Sequence, residues 1–286
     1  MSSPGTDGLL LIDKPSGITS HDAVAAVRRA LGTKKVGHAG TLDPMATGLL
    51  VIGVGRATRL LRFLGELSKT YEGSFRLGER TTTLDADGEV IQRAPVAVTP
   101  AEIAEAMAAL VGESLQTPPA FSAVKVGGTK LYEAARRGET LAAAPRPVHV
   151  ASFELVDLAA PEVSFRVVCG GGTYVRVLAA DVGDALGCGA HLTRLRRTSI
   201  GAFSVADATP PEDPGPPLPI ARAVAHLPRI VLEPEEAVAA SHGRVLGPTG
   251  LEGPYAVVGP DGDLVGVYED EGAKGRPSVI LAPLRS

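Results

Sequence analysis

Gly37-His38-Ala39-Gly40-Thr41-Leu42-Asp43-Pro44-Met45-Ala46-Thr47-Gly48 is the stretch on which the reading of this chain turns. It has neither the 3.6-residue period of a helix nor the alternation of a strand. Residues 36–48 are therefore expected to form a loop. A glycine-rich loop held between regular elements can present one side chain rigidly. Asp43 is the candidate, since Pro44 biases it toward an extended conformation. Asp and Pro also punctuate ordinary turns, so the loop by itself describes a turn as well as a site.

Outward from the loop the pattern becomes regular. Residues 49–54 are an apolar run that reads as a buried strand, and residues 8–13 read as another, closed by the turn Lys14-Pro15-Ser16-Gly17. Thr19 or Ser20 caps a helix with Val24, Val27 and Leu31 at helical spacing and Gly32 as its stop. Residues 69–77 alternate as a strand. Thr99-Pro100-Ala101-Glu102 is a capping box with proline at the first helical position, opening a helix through Ile103, Met107 and Leu110 to Gly112. Residues 117–146 are a looser basic stretch with a short helix at 131–137. Two strands, 148–158 and 163–169, meet around Pro161. Gly170-Gly171-Gly172 reads as a tight turn into a helix ending near Gly187, and residues 192–200 form a strand. Six prolines within 210–219 predict a stiff extended spacer crossed by few contacts. Beyond it, residues 220–286 read as a small β-rich unit, with a hairpin of 255–258 and 264–268 and a strand at 279–281.

Composition narrows the function classes. The 286 residues suit one large domain and a small one, and 44% hydrophobic with 21% charged residues is ordinary for a folded soluble protein. The apolar run at 9–12 is far shorter than a membrane span or a signal core, so a cytoplasmic protein without a membrane partner is expected. Cys169 and Cys188 lie outside any metal-binding or disulfide spacing and read as buried thiols. Gly53-Val54-Gly55-Arg56-Ala57-Thr58 lacks the third glycine of a dinucleotide loop, and no phosphate-loop, His-Glu-x-x-His or Gly-x-Ser-x-Gly motif occurs. The net charge of −4 is unevenly spread: 22 Lys/Arg face 20 Asp/Glu in residues 1–203, and six face twelve in residues 204–286. Positive charge gathers at 56–80, 125–146 and 194–197, the sort of local patch that can meet phosphates or simply face solvent.

The loop, taken with six other segments, resembles the TruB family, the bacterial tRNA pseudouridine-55 synthases. The loop matches the family's catalytic motif. Leu11-Ile12-Asp13-Lys14-Pro15-Ser16-Gly17-Ile18-Thr19-Ser20 resembles its N-terminal motif and Lys69-Thr70-Tyr71 its tyrosine-bearing strand. Thr81-Thr82-Thr83-Leu84-Asp85-Ala86-Asp87-Gly88 and Pro118-Pro119-Ala120-Phe121-Ser122-Ala123-Val124-Lys125 resemble later signatures. Gly172-Thr173-Tyr174-Val175-Arg176 and Leu192-Thr193-Arg194-Leu195-Arg196-Arg197 resemble the closing ones.

The resemblance implies an α/β (α+β) catalytic domain on a mixed, largely antiparallel sheet over residues 1–209. It implies an RNA-clasping insertion at 117–146, a proline-rich linker at 210–219 and a small PUA-like domain at 220–286. It implies an isomerase that needs no cofactor or metal and acts on a T-loop uridine of tRNA without an obligatory protein partner. Asp43 would be the catalytic carboxylate, Arg176 its partner and Tyr71 the ring that stacks on the extracted base. His38, Lys14, Lys69, Lys125, Lys130, Arg136, Arg137, Tyr174 and Arg197 would contact RNA. Whether Asp43 attacks the sugar or the base, or removes a sugar proton, stays open. Two other readings carry the same motifs: a dyskerin-like synthase working with a guide RNA, and a tRNA-folding chaperone that does no chemistry.

Overall fold

A computed structural model describes residues 7–139 and 141–281. Among these, nine strands build one sheet: β1 (Gly8–Lys14), β2 (Val36–Ala39), β3 (Thr47–Val54), β4 (Lys69–Leu77), β5 (Gly112–Gln116), β6 (Arg146–Ala159), β7 (Glu162–Cys169), β8 (Ala190–Ile200) and β9 (Phe203–Ser204). The order is β1-β3-β8-β4-β7-β6-β5, with β2 on β3 and β9 on β8. Every pairing is antiparallel except β3 with β8, so the sheet is mixed and largely antiparallel.

The helices follow from local chemistry. α1 (Ser20–Leu31) starts at Thr19 in a capping box with Asp22 and stops at Gly32, whose φ of +61° only glycine adopts freely. It buries Ala23, Val24 and Val27 against Leu10, Ile12, Leu50 and Ile52. α2 (Leu61–Gly65) is a single short turn. α3 (Pro100–Ala108) has the capping box of Thr99 and Glu102, and lays Ile103 and Met107 beside Phe75, Phe165 and Val167. α4 (Leu131–Arg136) lies in the 117–146 segment. α5 (Val175–Ala185) packs Leu178, Ala179 and Val182 into the same core. Both cysteines are buried free thiols.

Residues 36–48 are not all loop. Val36–Ala39 is the strand β2, paired His38 to Ile52 and Ala39 to Val51, while Thr47 and Gly48 already belong to β3. Val36 and Ala39 are buried, and that packing outweighs the glycine between them. β2 and β8 share one edge of β3, β8 at Thr47–Gly48 and β2 from Val51 onward. The sheet forks there, and residues 40–46 emerge from the fork. Gly48 sits at φ +100°, and a Cβ there would lie 2.3 Å from the Arg197 carbonyl oxygen and 2.8 Å from its nitrogen. Two paired strands cannot separate to make that room. Gly48→Ala is therefore expected to cost about 3 kcal/mol, a fall of roughly 6–12 °C in the thermal unfolding midpoint. An unchanged midpoint would contradict this placement.

The proline-rich stretch departs from expectation. It is no free spacer. The N–H of Leu9 donates to the Leu218 carbonyl at 3.0 Å and the N–H of Leu218 to Leu9 at 2.7 Å; Thr209 bonds Leu11 and Asp13 in the same way. Leu218 keeps its N–H between two prolines and can pair with the open edge of β1.

The C-terminal unit then forms its own sheet of β10 (Arg229–Val231), β11 (Pro254–Val258), β12 (Leu264–Glu271) and β13 (Lys274–Ile280), in that order, with α6 (Pro234–Ser241). Ala256, Val267, Val279 and Leu281 share one apolar cluster with Leu9, Leu49, Leu60 and Leu64 of the main sheet and its flanking turn. Arg59 and Arg62 donate to Ile280 and Ser278. Arg56 pairs with Asp7, Arg76 with Glu79 and Glu162, and Arg80 with Asp184. Most of the cations at 56–80 thus serve the fold instead of offering a free phosphate patch.

Candidate active site

Asp43 is held from both sides through its main chain. On the N-terminal side the Ser20 hydroxyl donates to the Leu42 carbonyl at 3.1 Å and accepts its N–H at 2.9 Å. On the C-terminal side Gly17 N–H donates to the Pro44 carbonyl at 2.9 Å and the Ser16 hydroxyl to Met45 at 3.2 Å. The Ala46 N–H donates to the Asp43 carbonyl at 3.1 Å and closes a turn. The turn-forming and site-forming readings of Asp-Pro are one arrangement. Leu42 and Ala46 anchor the loop in the core, and the Asp43 side chain keeps 36% of its surface accessible.

Three cations expected to contact RNA take part in this supporting work. Lys14 is fully buried and donates to the carbonyls of Pro15, Ile18 and Pro44 at 2.8, 2.7 and 3.3 Å. Its three donors are spent. Lys69 is buried and donates to Gly65 and Leu67 at 2.8 and 2.7 Å. Burial lowers the pKa of each to about 8; the neighbouring Asp43 charge opposes the shift at Lys14. Arg197 fills the fork in the sheet. Its Nε donates to Leu49 at 2.7 Å and its Nη2 to Gly40 at 3.0 Å, so the guanidinium replaces strand pairing that is absent there. Lys14, Lys69 and Arg197 are thus buried and bonded within the fold around the Asp43 loop.

Above Arg197 lies the buried Tyr71 ring, with the guanidinium 5.9 Å from its centroid. Burial raises the Tyr71 phenol above its ordinary value, so the hydroxyl stays protonated at neutral pH. Arg176, in the first turn of α5, is 4% exposed and joins three groups. Its Nε is 3.6 Å from an Asp43 carboxylate oxygen, its Nη1 3.4 Å from Asp85, and its Nη2 donates to the Phe121 carbonyl at 2.7 Å. The Nε has no hydrogen-bond partner, since 3.6 Å is ion-pair distance only. Burial raises the Asp43 carboxyl pKa; Arg176 pulls it down and Asp85 and Asp87 push it up again. Asp85 is itself buried and shares Arg176 with Asp43. It stands inside a quoted motif, but spacing alone gave no hint that it turns inward.

The remaining candidates are more scattered. His38 has a buried Nδ1 without a hydrogen-bond partner, and its ring meets His21 edge-on at 5.5 Å. Burial, with His21 and Arg197 nearby, lowers its pKa to about 4, so it is neutral. Tyr174 is half-buried with the Arg176 guanidinium 5.7 Å from its ring. Lys125, Arg136 and Arg137 are exposed on the 117–146 segment. There Lys130 and Arg136 approach the Tyr132 ring at 5.3 and 5.6 Å, and Arg137 pairs with Glu139. No helix among the described residues is long and apolar enough to cross a membrane.

The model of the TruB family pseudouridylate synthase N-terminal domain matches residues 28–175. Models of the tRNA pseudouridylate synthase B C-terminal domain and of the tRNA pseudouridine synthase II C-terminal region match 176–213 and 227–282. A tRNA pseudouridine synthase B of Mycobacterium sp. (strain KMS) is 45% identical over 294 aligned residues, covering 99% of both chains. That of Thermobifida fusca (strain YX) is 44% identical, covering 96% of this chain and 99% of its own. A chain in the crystal structure of a Cbf5-Nop10-Gar1 complex superposes with a TM-score of 0.76 at 25% identity, covering 96% of this chain and 85% of its own.

Proposed function

Since the chain belongs to the TruB family of pseudouridylate synthases, we propose that it isomerises the T-loop uridine of tRNA, position 55, with Asp43 as the reacting carboxylate. The observation that carries this reading is a carboxylate on a main chain fixed on both sides, within ion-pair reach of a buried arginine. In the reaction the N1–C1′ bond breaks, the uracil turns, C5 bonds to C1′, the C5 proton leaves and N1 gains one. Asp43 acts as its carboxylate, lending an electron pair to the sugar, the base or a sugar proton and recovering it when the C5–C1′ bond is made and the C5 proton leaves. Arg176 faces the carboxylate through Nε while its other two nitrogens reach Asp85 and Phe121, a three-way planar arrangement that lysine cannot copy.

Tyr71 is assigned to stack on the extracted base and to take part in the late proton transfer. Tyr71→Phe should then leave RNA affinity within about threefold and slow product formation by about 100-fold or more, the weight of a positioned acid–base group. Unchanged turnover would leave Tyr71 a platform alone. Lys125, Lys130, Arg136, Arg137, Tyr174 and His38 are assigned to the RNA side, with residues 117–146 clasping the T-arm. A stand-alone enzyme is favoured over a guide-RNA synthase, because the 45% identity to relatives named tRNA pseudouridine synthase B spans the full chain, against 25% for the Cbf5 chain. A role in tRNA folding is compatible with catalysis. The test is purified protein with an isolated T-arm hairpin and no added cofactor. Stoichiometric pseudouridine at the expected uridine is the predicted outcome, and modification elsewhere or none at all would overturn it.

A further inference from the structure

The 117–146 segment leaves and re-enters the fold at one place. Gln116 ends β5 and is the register partner of Arg146, which begins β6. The Gln116 side chain is buried and points across to the head of α5. There its Oε1 accepts the Tyr174 N–H at 2.7 Å and its Nε2 donates to the Tyr174 carbonyl at 3.2 Å. Tyr174 is the residue that caps α5, and its own side chain makes no capping hydrogen bond. The amide thus grips the cap residue by both main-chain groups: the N–H, which has no partner within the helix, and the carbonyl, which also accepts the Val177 and Leu178 N–H groups. Two residues on, Arg176 points at Asp43 and Asp85 and donates to Phe121 within the same segment.

We infer that Gln116 is a positioning residue for the reaction: its amide fixes the head of α5, and with the Phe121 contact it couples the 117–146 segment to the orientation of Arg176. When RNA draws that segment inward, the displacement reaches Arg176 through two short connections, one at each end of the Tyr174–Arg176 turn. This deepens the proposed function and rests on Asp43 being the reacting carboxylate.

The charged groups facing Asp43 are Arg176, Asp85, Asp87 and Lys14. Arg176 holds the carboxyl pKa down, so a looser Arg176 lets the acidic neighbours and burial raise it further. The acid limb of the turnover profile, where Asp43 takes up its proton, then moves to higher pH. Gln116→Met keeps the length of the side chain and removes both hydrogen bonds; Gln116→Glu keeps the acceptor and loses the donor. With a T-arm hairpin, Gln116→Met should lower kcat about 10- to 100-fold, change KM less than about threefold and shift the acid limb upward. Gln116→Glu should fall between it and the wild type. Wild-type kcat and acid limb in either folded variant would overturn the inference, as would a rise in KM alone. Failure of both variants to fold would also count against it, because a positioning role leaves the core standing. Asp43→Asn run in parallel separates the two claims. If that variant is active, the assignment of Asp43 falls; if it is inactive while the Gln116 variants match wild type, only the role of Gln116 falls.

Discussion

Asp43→Asn is expected to lose turnover by about 10,000-fold or more, the scale at which removal of a reacting nucleophile is felt, while binding T-loop RNA within about threefold of wild type. The substitution is nearly isosteric and the main chain around it is held by Ser20, Ser16, Gly17 and Lys14, none of which touches the carboxylate. Arg176 keeps Asp85 as a buried counter-ion, so no uncompensated charge appears in the core. Asn also relieves the repulsion from Asp85 and Asp87 that raises the Asp43 carboxyl. The fold should therefore survive and the loss should lie in chemistry. A single-turnover rate within tenfold of wild type would remove Asp43 from the reaction.

Ending the chain at Pro219 is expected to destroy cooperative folding. The proline-rich sequence suggests a clean boundary, but Leu218 is hydrogen-bonded to Leu9, and the apolar face of the C-terminal sheet covers Leu9, Leu49, Leu60 and Leu64. Re-exposing each such leucine costs about 1.5–3 kcal/mol. A whole protein has only about 5–15 kcal/mol to lose. Six Lys/Arg against twelve Asp/Glu in residues 204–286 make phosphate binding a poor use of this unit, and covering the main sheet is a better one. The truncated chain should be insoluble or melt without a sharp transition. A thermal midpoint within about 5 °C of full length would show that the two parts stand independently after all.

These outcomes separate what local sequence carries from what it does not. The strands at 8–14, 47–54 and 69–77 and the capping boxes at Thr19 and Thr99 are legible because their causes lie within a few residues. β2 is not, since four residues with a glycine carry no period and only the edge of β3 makes them a strand. Asp43 with Arg176 was suggested by family resemblance, and their 3.6 Å approach spans the whole catalytic core. The internal bonding of Lys14, Lys69 and Arg197 is not legible either, for a physical reason. A cation reads as surface or ligand-facing unless its partners are known, and theirs are carbonyls of turns brought together only by the fold. Asp85 and Gln116 escape for the same reason, because each acts through a residue far along the chain.

Pseudouridine mapped at single-nucleotide resolution in tRNA from cells lacking this protein tests the central claim most directly. The account predicts that the modification vanishes at the T-loop uridine alone and returns with the wild-type chain but not with Asp43→Asn. Full modification in the absence of the protein, or rescue by Asp43→Asn, would contradict it.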